Sequence, residues 1–198
     1  MTEPKFHIPE DNPHLGGYIE GGDDATYYPE LWSWLVAECG VESVIDVGCG
    51  EGYACGYFAD LGCDVTGIDG VNQTNTWEHT ASFIAHDYTK GKLGLTSMEF
   101  DVDLCWSCEF VEHVEERYVK NFIETFACAR MVLMTHAEPH QPGHHHVNCR
   151  VADYWIGAMA AIGFTQDEHL TTMTRALART NPSPFNHYAR SGLAFVRG

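Results

Sequence analysis

The chain has 198 residues, with 28 Asp and Glu against 11 Lys and Arg, for a formal net charge of −17. Nucleic-acid binding draws on cations that neutralise phosphates, so this balance argues against DNA or RNA and equally against acidic membrane surfaces. An apolar share of 44% supports one sizeable core, while no window is long and apolar enough to span a membrane, so a single domain in a cytoplasmic setting is expected.

In chain order, His14 to Asp23 is too glycine-rich to hold a regular element. Pro29 to Cys39 reads as a helix, with Leu31, Trp34, Leu35 and Cys39 along one face. Ser43 to Val47 reads as a strand and runs into the glycine-dense turn Gly48-Cys49-Gly50-Glu51-Gly52, after which Tyr53 to Leu61 reads as a helix. Asp64 to Ile68 is the next strand, with Asp69 at its tip, followed by a weaker one at Ser82 to His86. Strands at Val102–Trp106 and Met131–Thr135, helices at Glu115–Ala129 and Val151–Ile162, and a closing strand from Gly192 to Val196 complete the pattern. Such alternation implies an α/β fold with a parallel sheet covered on both faces. Residues 1–40 form an N-terminal cap or lid, and residues 41–198 form the core. Eight cysteines lack the spacing of a disulfide framework. Cys105 and Cys108 form a lone CxxC, and Cys105 reads as a small core residue.

A glycine turn at the carboxyl end of a strand presents bare backbone N–H groups to a ligand, and Asp69 is suited to accept hydrogen bonds from ribose hydroxyls. The dinucleotide fingerprint requires a sixth-position glycine, where this chain has Tyr53. Asp46 would repel a phosphate and bind an ammonium. The pattern resembles the first motif of class I S-adenosylmethionine-dependent methyltransferases, over roughly Glu42 to Phe195. That resemblance implies a Rossmann-like fold with a mostly parallel sheet and an antiparallel final strand, and S-adenosylmethionine as cofactor. It places Asp46, Gly48, Cys49 and Gly50 against the methionine part, Asp69 on the ribose and Asp87 near the adenine. Gly70, His86, Tyr88 and Ser107 complete the expected cofactor contacts.

A second constellation follows the strand at Val102–Trp106. If the chain turns helical at Cys108 or Glu109, then Glu109, Glu112 and His113 share one face at i, i+3 and i+4. Two carboxylates and an imidazole at a strand's carboxyl end suit Mg²⁺ or Mn²⁺, with zinc and iron as alternatives. This ExxEH arrangement resembles the metal-dependent O-methyltransferases of the ubiquinone-pathway and small-RNA 2′-O-methyltransferase types. The RNA group takes a further histidine from the segment after the next strand. Here that segment holds His144, His145 and His146, of which His145 is the expected ligand and the other two are alternates. Read without a metal, Glu112 caps a helix, His113 bonds within the fold and the histidine run is a solvated loop.

A bound cation would lower the pKa of an acceptor hydroxyl. These readings converge on an O-methyltransferase acting on a sugar, glycan or small phenolic diol. Without a metal, His113, His144, His145 or His146 is the candidate general base. An N-methyltransferase of a small molecule or protein side chain, and a non-catalytic S-adenosylmethionine-binding protein, are the alternatives. Trp77, Trp106, Tyr154 and Trp155 are candidates for a stacking wall or for core packing.

Overall fold

The computed structural model describes residues 5–6, 12–71, 81–95 and 101–198. Short strands β1 (Lys5–Phe6) and β2 (Ile19–Glu20) pair antiparallel ahead of helix α1 (Pro29–Cys39). The main sheet contains β3 (Ser43–Val47), β4 (Asp64–Asp69), β5 (Ser82–Ala85), β6 (Val102–Ser107), β7 (Ala129–Met134), β8 (Phe164–Gln166) and β9 (Leu193–Arg197). Its order is β5-β4-β3-β6-β7-β9-β8, parallel from β5 to β7, with β9 antiparallel to both β7 and β8. The helices are α1, α2 (Tyr53–Asp60), α3 (Val119–Phe126), α4 (Ala152–Ala160), α5 (Glu168–Ala178) and α6 (His187–Ser191).

Side chains alternate across the sheet, so each strand feeds two cores. Ile45, Val47 and Cys105 pack with α3 and α4, through Phe122, Phe126, Trp155 and Met159. Val44, Leu104 and Trp106 face the other way, towards Leu31, Trp32 and Leu35 of α1 and Phe58 of α2. Asp46 shares that second face and lies beside Trp106 in the β3–β6 register. Tyr28 and Tyr188 close the second core, with Tyr188 stacked on Trp106 at 5.1 Å and 18°.

Helix α1 and strand β3 occupy the expected ranges, and Gly40 ends α1 in the left-handed conformation at φ 68°. The expected helix from Glu115 is shorter: a 3₁₀ turn at Glu116–Tyr118 precedes α3. The glycine-rich stretch from His14 holds more order than expected, since Pro13–Leu15 forms a 3₁₀ turn and Ile19–Glu20 forms β2. Strand β8 and helices α5 and α6 had no counterpart in the sequence reading. Helix α5 buries Thr171 and Thr174, and the Thr174 hydroxyl donates to the Leu170 carbonyl at 2.7 Å. Threonines that satisfy themselves on the backbone can enter a core without an apolar stripe. Trp106 and Trp155 are core residues, Trp155 projecting from α4 against Phe122. Trp77 lies outside the described residues. All eight cysteines are free thiols, and Cys105 is buried in β6.

Candidate active site

The sheet reverses its winding between β3 and β6, and a cavity of about 330 Å³ opens at the carboxyl ends of those strands. One half of it is built on the turn after β3. Gly48 has φ 79°, and a Cβ there would lie 2.7 Å from the Phe110 side chain, so only glycine fits. The Gly48 amide donates to the Ile68 carbonyl at 2.8 Å, which ties the turn to β4. Asp69 accepts the Gly50 amide at Oδ2 and the Val71 amide at Oδ1, each at 2.9 Å. Burial raises its carboxyl and those amides pull it back, with the net effect upwards. Each oxygen keeps a second lone pair for a hydroxyl donor.

Asp46 is buried beneath the turn, with the Cys55 thiol donating to Oδ2 at 3.3 Å. Burial drives its carboxyl up to about 7, helped by the charge of Asp69. A buried acid with one weak thiol donor fits an ammonium group arriving from the cavity, and Cys49 and Gly50 line the same wall. Gly70, His86, Asp87, Tyr88 and Phe110 line an adjoining hollow of about 110 Å³, suited to the purine end of a nucleoside. There Asp87 accepts the Thr89 amide and hydroxyl at Oδ1, while its Oδ2 meets His14 at 2.9 Å and Lys90 at 3.3 Å. Burial opposes ionisation of Asp87, but these partners prevail and hold it at about 2. Ser107 stands apart from both hollows: its hydroxyl is buried and donates to the Val47 carbonyl at 2.9 Å, clipping β6 to β3.

The other half gathers side chains from distant segments. The Glu109-to-His113 stretch is not the α-helix anticipated from its spacing. Glu109 sits at φ 55°, and a 3₁₀ turn spans Val111–His113. Val111 is fully buried and Phe110 packs against Tyr88 and Phe122, so two successive apolar side chains are drawn inward. The tighter turn leaves the two carboxylates in contact but in different surroundings. Glu109 lines the cavity, whereas Glu112 is fully buried and has no donor to either oxygen among the described residues. Burial and the charge of Glu109 push the Glu112 carboxyl upwards.

One ligand atom each from Glu109, His113 and His146 lie within 4.8 Å of one another, the one such cluster among the described residues. His146, an alternate in the sequence reading, takes the place expected for His145. The His145 backbone is left-handed at φ 54°, which turns its ring towards Gly16 and the smaller hollow. Its carbonyl instead accepts from Nδ1 of His113 at 3.2 Å. His146 likewise directs Nδ1 at the Gln141 carbonyl, 3.3 Å away. A carbonyl only accepts, so both imidazoles carry a proton on Nδ1, which leaves Nε2 as the ring nitrogen open to a metal. Burial lowers His113 to about 4, so it is neutral at physiological pH. His144 lines the cavity beside His146.

Two residues of this half had no signal in the sequence. The His187 imidazole stands 3.1 Å from Glu109 Oε1 through Nδ1 and 3.3 Å from Asp23 Oδ2 through Nε2. Burial alone would lower its pKa, but the two carboxylates outweigh burial and raise it to about 9. His187 in turn keeps Glu109 low against its own burial. The segment before α1 roofs the cavity: Tyr18 donates to Glu51 Oε1 at 2.5 Å, and the Gly21 amide donates to the same oxygen at 2.8 Å. Gly17 passes so close that a Cβ on it would be 2.8 Å from the His113 ring.

A doubly wound sheet with a final antiparallel strand, a glycine turn and an acid at the tip of the next strand defines a nucleoside-binding α/β protein. Residues 45–133 match the family model of a methyltransferase domain. The 1,6-didemethyltoxoflavin N1-methyltransferase of Burkholderia thailandensis, solved with 1,6-didemethyltoxoflavin and S-adenosylhomocysteine, is similar in structure. The TM-score is 0.59 at 17% identity, over 90% of this chain and 82% of that one. The magnesium protoporphyrin IX methyltransferase of Synechocystis PCC 6803 with bound S-adenosylmethionine gives a TM-score of 0.57 at 17% identity, over 85% and 76% of the two chains. A plantazolicin methyltransferase in complex with S-adenosylhomocysteine gives 0.61 at 12% identity, over 90% and 86%. Comparison with curated proteins gives no significant match. Residues 45–133 thus match a methyltransferase domain, and the fold is that of the S-adenosylmethionine-dependent methyltransferases to which the chain is similar. Among the described residues, no helix is long and apolar enough to cross a membrane.

Proposed function

We propose that this chain is a divalent-metal-assisted O-methyltransferase whose acceptor is a hydroxyl of a neutral sugar, glycan or small phenolic diol. The observation that carries the reading is the pair of imidazoles, His113 and His146, each committed through Nδ1 to a backbone carbonyl. That leaves Nε2 of each ring as the nitrogen open to a metal, and one ring nitrogen of each lies within 4.8 Å of a Glu109 carboxylate oxygen. Two imidazoles and a carboxylate suit Mn²⁺ well and Mg²⁺ less closely. The buried, donor-less Glu112 beneath Glu109 adds negative potential that a cation would relieve. Bound there, a cation would lower the pKa of an acceptor hydroxyl.

The chain's own groups do the rest. Asp46 takes the ammonium of the donor, Asp69 its ribose hydroxyls, and the Gly48–Gly50 turn lets the methionine part approach the backbone. Gly70, His86, Asp87 and Tyr88 border the adenine. The segment roofing the cavity keeps water from the reacting atoms. Five carboxylates line the cavity (Asp23, Asp46, Glu51, Asp69 and Glu109), and no Lys or Arg does so among the described residues. A phosphorylated or carboxylated acceptor would meet that field unfavourably, so a neutral polyol fits better. Lys90 and Lys92, the adjacent basic pair, are engaged by Asp87 and Glu124, which leaves little for nucleic acid.

The test is methyl transfer from labelled donor to a panel of neutral sugars and catechols, alongside amines and the phosphorylated counterparts of the sugars. Transfer to neutral hydroxyls that stops with EDTA and returns with Mn²⁺ or Mg²⁺ is expected. Transfer to an amine that is indifferent to chelation would overturn the reading.

A further inference from the structure

Glu109 has the only carboxylate of the candidate metal cluster, yet its backbone does little to aim it. The residue is left-handed at φ 55°, and its amide is held by the Thr135 hydroxyl at 2.7 Å. The shortest hold on its carboxylate is His187, whose Nδ1 lies 3.1 Å from Oε1, with the Thr135 hydroxyl farther off at 3.5 Å from the same oxygen. That imidazole is itself set by an unusual number of contacts. Asn186 caps α6 through the Ala189 amide at 3.0 Å, and its own amide nitrogen donates to the carbonyls of Ala178 at 2.6 Å and Asn181 at 3.1 Å. On the other side, the Tyr188 amide donates to the buried Tyr28 hydroxyl at 2.9 Å. Residues 186 and 188 are therefore both pinned, and the intervening His187 is directed into the cavity. Its second nitrogen meets Asp23, whose other oxygen accepts the Ala25 amide at 2.8 Å.

We infer that His187 is a positioning residue for Glu109: it fixes one carboxylate oxygen, aims the other at His113 and His146, and through Asp23 joins the cavity roof to that cluster. The inference rests on the metal reading above. A partner that orients a ligating carboxylate typically changes metal affinity by about tenfold to a hundredfold when removed. Among the described residues, the ion pairs of His187 run to Glu109 and Asp23 and not to Asp46, Asp69 or Asp87, so donor affinity should be independent of it.

The experiment is a titration of the intact protein with Mn²⁺ alone, read by calorimetry and by the electron paramagnetic resonance of the free ion. It is run beside an S-adenosylhomocysteine titration, on wild type, H187A, H187N and H187Q. Asparagine carries its amide nitrogen where histidine carries Nδ1, and glutamine where it carries Nε2. The account therefore expects H187A and H187Q to bind Mn²⁺ at least about tenfold more weakly, and H187N to recover most of that loss. S-adenosylhomocysteine affinity should stay within about twofold in all four, which also certifies their folding. Wild-type Mn²⁺ affinity in H187A, or H187N as weak as H187A with its donor affinity intact, would overturn the positioning role alone. Wild type that binds S-adenosylhomocysteine but no Mn²⁺ would overturn the metal reading and this inference with it.

Discussion

The two halves of the cavity are built on different principles. The donor half is made from backbone: the Gly48 and Gly50 amides, the β4 tip and one buried acid, all within the stretch from Asp46 to Val71. The acceptor half is made from side chains of the roof, the segment after β6, the histidine loop and the start of α6, through Asp23, Glu109, His113, His146 and His187. Backbone sites tolerate sequence change outside their glycines, whereas a site of convergent side chains can be retuned one residue at a time. On the proposed function, the first half takes the methyl donor and the second the acceptor.

If the halves are separable, variants should fall cleanly on one side or the other. The largest effect belongs to the acceptor half: Glu109→Ala or His146→Ala should cut kcat by about a hundredfold or more, as should metal removal, with S-adenosylhomocysteine affinity little changed. Radiometric turnover beside calorimetry checks it, and a parallel loss of cofactor affinity would merge the halves. Next comes Asp69→Ala, which should weaken S-adenosylhomocysteine by about tenfold to a hundredfold through lost ribose hydrogen bonds and the loosened Gly50 turn.

Asp46 sharpens the comparison through pH. Burial holds its folded pKa at about 7, above the ordinary 3.8. Ionisation of this group therefore opposes folding, a penalty absent near pH 4 that grows as pH rises to about 7. Asp46→Asn should raise the melting temperature of the cofactor-free protein above pH 7 and leave it unchanged near pH 4. The same substitution should weaken S-adenosylhomocysteine. Wild-type affinity should itself fall by up to about tenfold per unit below pH 7, because the ammonium must displace the proton. A pH-independent affinity would contradict that role. The smallest effect is at Asp87. Its folded pKa of about 2 lies below the ordinary 3.8, so its contribution to stability is present above pH 4 and lost as pH falls towards 2. Acid unfolding of Asp87→Asn, followed by circular dichroism, should lack that component.

The same contrast explains what was legible in the sequence. The glycine turn and strands β3 to β7 and β9 were readable because strand, turn and acid follow one another in chain order with spacings that geometry dictates, whereas β8 carried no such pattern. The acceptor half was readable only at its contiguous part. The spacing of Glu109, Glu112 and His113 suggested an α-helix, but burying both Phe110 and Val111 forced a 3₁₀ turn and sent Glu112 inward. Among adjacent histidines, a single left-handed residue, His145, decides which ring enters the cavity, and no periodicity predicts it. The pairing of Asp23 with His187 joins the two ends of the chain and leaves no local pattern at all.

The central claim is that Glu109, His113 and His146 hold a divalent cation facing the donor's sulfur. A crystal structure of the protein with S-adenosylhomocysteine and Mn²⁺, read by anomalous scattering at the manganese edge, tests it most directly. The account predicts one manganese peak bounded by Glu109, His113 Nε2 and His146 Nε2, with the sulfur of the cofactor turned towards it. A cofactor seated on Asp46 and Asp69 with no manganese at that cluster would contradict it.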